Sequence, residues 1–196
     1  TENSKLLDHM ITANEGSAIA LAAGQYIASG NPSVVYLQNS GFGNSINPLL
    51  SLADPAVYGI PMILIVGWRG EPGVKDEPQH IKQGLVMEDL LKACKIPYDI
   101  LPEKDELIDG LIENAINISI KMETPYVILV KKGTFSKYIL KSENDESLMS
   151  REEAIENIVK TSDSNDVFVS TTGMPSRELF EIREKLNDSH NRDFLT

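Results

Sequence analysis

The strongest evidence for the fold of this chain is a set of three short apolar runs. Segments with a helical pattern separate these runs from one another. The runs are SVVYLQ at residues 33–38, PMILIV at 61–66 and PYVILV at 125–130. Each is typical of a strand that is buried on both faces, because a strand with one solvated face alternates apolar and polar residues. The sequence therefore predicts an α/β fold, namely a doubly wound, mostly parallel sheet with helices on both faces.

Helical segments are predicted before, between and after these strands. Residues 15–29 are rich in Ala, Ile and Leu, and Gly30 stands where a glycine commonly ends a helix. The other predicted elements are helices at 80–94 and 103–122, a short strand at 98–101, and a Gly/Asn/Ser loop at 38–47 that leads into a short helix around 48–52.

The sequence predicts two domains joined by a polar linker. Residues 1–141 form the first domain, 142–149 the linker, and 150–196 the beginning of a second α/β domain. The second domain is predicted to contain a helix that opens with a capping box at Ser150 and Glu153, a strand at 165–171 and a further helix. Because the sequence starts without methionine and ends on an unpartnered apolar run, we expect a piece of a longer protein.

Charge and cysteine content exclude several classes of function. The net charge is −11 and the sequence pI is about 4.7, which argues against a nucleic-acid or anionic-membrane partner. A small anionic substrate stays possible, because a local basic pocket can oppose the global sign. The single cysteine, Cys94, cannot form an internal disulfide, and it is typical of a core residue rather than a nucleophile. With no secretory signal and no metal-binding motif in the sequence, we predict a cytoplasmic protein without its own metal ligands.

Glu15 is the first candidate for a functional side chain. It lies between Asn14 and Gly16, where the predicted helix begins. An acidic residue in the first turn of a helix is favoured by the helix dipole alone, so a purely structural role is one interpretation. The alternative is a carboxylate presented to a ligand, since ligands bind at the carboxyl ends of strands in such sheets.

Two loops that follow strands are the other candidates. The loop at 38–47 has glycine, asparagine and serine residues that suit a backbone cradle for a polar ligand, although a plain turn explains them equally well. The loop at 67–80 contains Arg69 and His80, which fit recognition of a doubly charged anion. A solvated loop with local ion pairs is the alternative for this second segment.

Four segments together resemble the thiamine-diphosphate-dependent decarboxylases that act on phosphonopyruvate or sulfopyruvate. They are NEGSAIALAAG, VVYLQNSGFGNSINPLLSLADP, PMILIVGWRGEPGVKDEPQH and STTGMPSREL. The resemblance covers about residues 12–180, and only the combination of segments is specific. It implies decarboxylation of a small 2-oxo acid, with phosphonopyruvate as the expected substrate and sulfopyruvate as the alternative.

The resemblance also implies roles for particular residues. Glu15 matches the family's glutamate that hydrogen-bonds N1′ of the cofactor's aminopyrimidine ring. The loop Arg69–His80 would cover the substrate, with Arg69 and His80 binding its anionic group. The cofactor-binding candidates are Asn39, Ser40 and Gly41 near the ring, and Thr172 and Gly173 near the diphosphate.

The chain departs from the family pattern at both ends. The family's GDG motif, which holds Mg²⁺ and the cofactor diphosphate, does not occur in the sequence. From the resemblance we also expect the opening strand and helix of the first domain to be missing. We therefore expect this chain to be inactive alone. The intact protein would be a homo-oligomer with thiamine diphosphate and Mg²⁺ between subunits. A non-catalytic α/β module that binds an anion or a partner is the remaining alternative.

Overall fold

The computed structural model describes residues 9–136, 148–171 and 173–195. The chain divides into two compact units, Thr1–Lys137 and Tyr138–Thr196. Within the described ranges, no helix combines the length and the apolar character that a membrane span requires.

The first unit is a parallel four-stranded sheet with helices on both faces. The strand order is β1-β2-β4-β3, and every neighbouring pair is parallel. The strands are β1 (Ser33–Gln38), β2 (Met62–Gly67), β3 (Tyr98–Ile100) and β4 (Pro125–Val130). The helices are α1 (Glu15–Ser29), α2 (Phe42–Pro48), α3 (Pro78–Leu85), α4 (Met87–Ala93) and α5 (Ile108–Met122). The predicted fold class is confirmed.

The core forms two layers because alternate strand residues point to opposite faces. Ile19 of α1, Leu64 of β2 and Leu91 of α4 belong to one layer, and each is fully buried. Ile63 of β2 packs in the other layer with Ala115 of α5. Every residue of β4 is buried, as the sequence predicts for a strand covered on both faces.

The prediction that β1 is buried on both faces is wrong. Val35 and Leu37 are buried, whereas Val34 and Tyr36 are 64% and 72% exposed. β1 lies at the edge of the four-stranded sheet, and α5 packs against β2 and β4 on this face. The apolar run therefore predicts the strand correctly, but it does not predict whether one or both faces of the strand are buried.

The predicted loop at 38–47 is also wrong, because this segment is helical. A 3₁₀ turn at Asn39–Gly41 leads into α2, which continues as a π-helical turn at Leu49–Ala53. Phe42, Ser45 and Leu49 are buried at helical spacing, so burial of this stripe outweighs the loop-like composition.

Other boundaries differ by smaller amounts. The helix predicted at 80–94 is two helices, α3 and α4, which meet at Val86. The helix predicted at 103–122 starts as a 3₁₀ turn at Asp105–Leu107 before α5. Gly30 ends α1 in the left-handed conformation with φ 74°, as predicted.

The described residues of the second unit, 148–171 and 173–195, form two helices and a two-stranded parallel sheet. Its elements are α6 (Arg151–Thr161), β5 (Phe168–Ser170), α7 (Met174–Leu186) and β6 (Asp193–Leu195). The predicted capping box is confirmed, since Ser150 and Glu153 exchange side-chain and backbone hydrogen bonds. The apolar run near the end of the sequence forms β6 and pairs with β5, a partner that the sequence interpretation missed.

Candidate functional site

The parallel strands bring several loop residues to one edge of the first sheet. β1, β2 and β4 end at Gln38, Gly67 and Val130. These three residues lie side by side in the sheet, because Gly67 pairs with Gln38 on one side and with Val130 on the other. The residues that follow these strands therefore share this edge. The start of α1 lies beside the start of α2, which follows β1 closely, so Glu15 belongs to the same region of the unit.

Glu15 is the first residue of α1 and is held in an ionised state. Asn14 caps the helix, its side-chain oxygen accepting a hydrogen bond from the Ser17 amide at 2.9 Å. Asn44 Nδ2 donates to Glu15 Oε2 at 2.9 Å. This bond and the residue's own backbone amide lower the pKa of Glu15. The half-buried carboxylate is therefore a hydrogen-bond acceptor at neutral pH.

Gly41 leaves room for the Glu15 carboxylate. A Cβ at Gly41 would lie 2.1 Å from Glu15 Oε1, so only glycine fits here while the carboxylate keeps this position. A Cβ at Gly16 would lie 2.9 Å from the backbone oxygen of Asn44. These two glycines let α1 and α2 approach closely, and the carboxylate is held between Gly41 and the Asn44 amide. A fixed, ionised acceptor of this kind fits the protonated ring nitrogen of an aminopyrimidine.

Asn39 is buried and joins the ends of β1 and β2. Its Nδ2 donates to the backbone oxygen of Arg69 at 2.8 Å, and its Oδ1 accepts from the Arg69 amide at 2.9 Å. Within the described residues, the Ser40 hydroxyl makes a single, long hydrogen bond, 3.4 Å from its Oγ to Gln38 Oε1. Of the three cofactor candidates in this segment, only Gly41 lies against Glu15.

Asp76 brings Arg69 and His80 together. Arg69 binds this carboxylate through two nitrogens, Nε at 2.9 Å and Nη2 at 2.6 Å. His80 Nδ1 lies 3.3 Å from Asp76 Oδ1. The guanidinium and two backbone amides hold the pKa of Asp76 far below its usual range, so the pair is ionised. The sequence singled out Arg69 and His80 but not the carboxylate between them.

The segment from Trp68 to α3 is compact. Trp68 is buried, and its Nε1 donates to the backbone oxygen of Gly84 at 2.9 Å. A Cβ at Gly84 would lie 1.9 Å from the backbone oxygen of Gly70, and one at Gly70 would lie 2.0 Å from that of His80. Both local ion pairs and backbone packing therefore shape this loop.

An open cleft of about 380 Å³ lies where β1, β2 and β4 end. Arg69 lines it together with Lys131 and Lys132, two cations that sequence reasoning missed although they directly follow a buried strand. Lys131 pairs with Glu71 at 3.3 Å. Neither Glu15 nor His80 lines this cleft. The predicted site residues of the first unit therefore fall into two groups, with Gly41 beside Glu15 and with Arg69 and His80 around Asp76.

The second unit contains the remaining cofactor candidates. Gly173 precedes α7 with φ 105°, a conformation that favours glycine, and a Cβ there would meet open space. Thr172 lies outside the described residues. Ser176 Oγ donates to the backbone oxygen of Thr171 at 2.6 Å, which stabilises the turn before α7.

No group of three His, Cys, Asp or Glu side chains in the described parts of the chain is arranged to hold a metal ion.

A doubly wound parallel sheet is the fold that the resemblance to thiamine-diphosphate-dependent enzymes implies. Residues 1–92 match the family model described as "Thiamine pyrophosphate enzyme, N-terminal TPP binding domain". The chain belongs to the thiamine pyrophosphate enzymes and contains their N-terminal domain.

Individual relatives are decarboxylases. The chain is 33% identical to phosphonopyruvate decarboxylase of Streptomyces hygroscopicus in an alignment 198 positions long, which covers 93% of this chain and 48% of the relative. It is 36% identical to sulfopyruvate decarboxylase subunit alpha of Methanococcus maripaludis over 128 residues, 65% of this chain and 74% of the relative. It is 25% identical to sulfopyruvate decarboxylase of Methanosarcina acetivorans in an alignment 194 positions long, which covers 87% of this chain and 48% of the relative. The chain thus spans about half the length of the phosphonopyruvate decarboxylase it matches.

Proposed function

We propose that the complete protein is a carboxy-lyase that converts 3-phosphonopyruvate to phosphonoacetaldehyde and CO₂ with thiamine diphosphate, in phosphonate biosynthesis. The observation that carries the proposal is the Glu15 carboxylate, ionised and held between Asn44 and Gly41. The likeness to phosphonopyruvate decarboxylase supports the substrate, because it extends over both units at 33% identity.

Glu15 and its neighbours would hold the aminopyrimidine end of the cofactor. When bound, thiamine diphosphate supplies a thiazolium ring that accepts the electron pair released as CO₂ leaves. Glu15 would accept a hydrogen bond from the N–H of the pyrimidine ring and would keep the proton on that ring nitrogen. The Asn44 amide fixes one carboxylate oxygen and leaves the other oxygen beside Gly41 for this contact. Asn39, Ser40, Thr172 and Gly173 remain proposed cofactor contacts.

Arg69 and His80 are proposed to bind the phosphonate of the substrate. The Arg69 side chain is 39% exposed and its Nη1 takes no part in the two bonds to Asp76, which leaves it free to donate to an anion. Lys131 and Lys132 add positive charge at the same edge of the sheet. Glu71 and Asp76 line the same cleft, so three cations face two carboxylates and a small local excess of positive charge remains for an anionic substrate, although the whole chain has a net charge of −11.

The assembly and the metal belong to the same proposal. The intact protein would be a homo-oligomer in the cytoplasm with Mg²⁺ at the cofactor diphosphate, and the unit after residue 150 would begin the diphosphate-binding domain. Family membership and the single cysteine support these statements.

Sulfopyruvate is the alternative substrate. The identity to the sulfopyruvate decarboxylase alpha subunit is 36% over 65% of this chain. The presence of a second unit does not exclude this alternative, because the Methanosarcina relative also matches across both units at 25% identity.

A parallel assay of both substrates tests the proposal. The complete protein is supplied with thiamine diphosphate and Mg²⁺, each substrate is offered separately, and the aldehyde released is quantified. We expect a higher kcat/KM for phosphonopyruvate. A preference for sulfopyruvate would assign the sulfonate substrate, and no aldehyde from either would contradict the proposed function.

Replacing Glu15 with glutamine tests the role of the carboxylate. Glu15→Gln keeps the size but removes the negative charge that holds the ring proton, so kcat should fall by about 10²- to 10⁴-fold. Glu113→Gln, an exposed position on α5, is the matched control and should retain full activity. If the Glu15→Gln enzyme kept the turnover of the wild type, the catalytic role of Glu15 would be refuted. The same conclusion would follow if the wild type only bound an anion and Glu15→Gln bound it equally well.

A further inference from the structure

The carboxylate of Asp76 is the centre of a hydrogen-bond network within one loop. Its Oδ2 accepts from Arg69 Nε at 2.9 Å and from the Gly70 amide at 2.8 Å. Its Oδ1 accepts from Arg69 Nη2 at 2.6 Å and from the Glu77 amide at 2.8 Å, and it lies 3.3 Å from His80 Nδ1. The side chain is only 9% exposed. Both oxygens therefore work as acceptors, and every donor comes from the segment between Arg69 and His80.

We propose that Asp76 is a positioning residue that fixes the orientation of Arg69 and holds His80 through its Nδ1–H, so that Nε2 of the charged ring can donate to the substrate's anionic group. This inference rests on the proposed function, in which Arg69 and His80 bind that group. Asp76 itself would not touch the substrate, because a carboxylate repels an anion and its lone pairs are already occupied.

The geometry constrains Arg69 strongly. A guanidinium that binds a carboxylate through Nε and Nη2 is held in one plane, and its remaining nitrogen, Nη1, then points in a fixed direction. The backbone of Arg69 is held as well, by the paired bonds to the buried Asn39 amide. Both the origin and the end of this side chain are thus fixed, which lowers the entropy lost when an anion binds.

The same carboxylate selects the state of the His80 ring. An ionised carboxylate can only accept, so a hydrogen bond across this 3.3 Å distance requires a proton on His80 Nδ1. When the ring is neutral, its Nε2 is then the unprotonated nitrogen; when the ring is charged, both nitrogens donate and Nε2 can donate to an anion. The His80 side chain is 15% exposed, so Asp76 limits how this half-enclosed ring can rotate.

The experiment uses the complete protein with Asp76→Ala, Asp76→Asn and the control Asp89→Ala. Asp89 is an exposed carboxylate, 82% exposed, that pairs only loosely with Lys92 at 3.6 Å. For Asp76→Ala we expect kcat/KM for the preferred substrate to fall by about 10- to 100-fold, the range for loss of a hydrogen bond to a charged group, chiefly through KM. Asp76→Asn retains one acceptor oxygen and should lie between Asp76→Ala and the wild type, while Asp89→Ala should match the wild type.

A spectroscopic measurement separates positioning from a purely structural role. Imidazole ¹⁵N shifts of His80, assigned with His80→Gln and recorded well above neutral pH, report which ring nitrogen carries the proton. We expect the wild type to show Nδ1 protonated and Asp76→Ala to move the proton toward Nε2. A wild-type ring protonated on Nε2 would overturn the proposal, as would an Asp76→Ala enzyme with unchanged KM and tautomer.

The two readouts keep this inference distinct from the proposed function. If the wild type decarboxylates neither substrate, the proposed function fails and the His80 tautomer alone decides whether Asp76 positions the ring. If the wild type is active but Asp76→Ala changes only the unfolding midpoint, the function stands and the positioning role is refuted. Thermal unfolding of each variant identifies any that is not folded, and the wild-type tautomer then decides.

Discussion

At the scale of single residues, one side-chain amide is the main cause of the lowered pKa of Glu15. The Asn44 bond is the largest cause that lowers the pKa of Glu15, ahead of the residue's own backbone amide, and burial acts in the opposite direction. Replacing Asn44 with alanine should therefore raise the pKa of Glu15. In the proposed mechanism the active form is ionised, so the acidic limb of the kcat/KM profile should move to higher pH. A pH profile of the complete enzyme measures this shift.

Asn47→Ala is the matched control for this change. Asn47 is an exposed asparagine on the same helix, one turn beyond Asn44. Its replacement should leave the acidic limb in place. An unchanged limb in Asn44→Ala, with the variant folded, would mean that the Asn44 bond does not set the charge state of Glu15.

The residues that bind Glu15 and Arg69 show where sequence reasoning reaches its limit at this scale. Glu15 could be singled out because its position at a helix start is visible in neighbouring letters. Asn44 and Asp76 could not, because each is a common polar residue in a polar stretch. Asn44 lies 29 positions from its partner along the chain, and the fold alone brings them together. The roles proposed for Glu15, Arg69 and His80 remain predictions.

At the scale of elements, α3 is joined to the end of β2 by backbone-to-backbone packing. A Cβ at Gly84 would lie 1.9 Å from the oxygen and 2.1 Å from the carbonyl carbon of Gly70, and backbone atoms cannot move aside as a flexible side chain can. Gly84→Ala should therefore displace α3 and lower the free energy of unfolding by about 1–3 kcal/mol or more. Trp68, the only tryptophan of the chain, donates to the Gly84 oxygen, so its fluorescence during urea unfolding reports on this contact.

Gly24→Ala provides the opposite expectation in the same unit. Gly24 lies inside α1, and a Cβ there would have no atom within 4 Å. Alanine is the better helix former, so stability should rise by about 0.5–1 kcal/mol. If Gly84→Ala proved as well tolerated as Gly24→Ala, the close approach of α3 to Gly70 would be wrong.

Elements were predictable from sequence where burial is uniform and hard to predict where composition and burial disagree. β2 and β4 follow from their apolar runs because helices cover them on both faces. β1 has a similar run, but its place at the sheet edge leaves Val34 and Tyr36 exposed, and strand order is not written in any local pattern. The sequence of α2 is rich in small polar residues, so its composition predicts a loop. Two large apolar residues, Phe42 in α2 and Leu49 in the turn that follows it, indicate the buried side of this segment.

At the scale of the whole molecule, both units contain carboxylates that their neighbours keep ionised. In the first unit these include Glu15 and Asp76, each with a lowered pKa caused first by a side-chain hydrogen bond. In the second unit the pKa of Glu153 is lowered by the Ser150 backbone amide, and that of Glu178 by Arg151, which binds it at 2.6 Å. The two units should therefore share one response to acid although their cores are separate.

The direction of that response follows from proton binding. A carboxylate whose pKa is lower in the folded state binds fewer protons there than in the unfolded chain, so the stability it contributes is fully present above its ordinary pKa and is lost as the pH falls through the folded value. The ordinary value is 4.5 for Glu153 and Glu178. Urea midpoints should therefore be constant near neutral pH and fall progressively below about pH 5. Trp68 fluorescence follows the first unit, and far-UV circular dichroism follows both. A urea midpoint that rose on acidification would contradict the lowered pKa values of these carboxylates. It would mean that ionisation of the carboxylates destabilises the folded state.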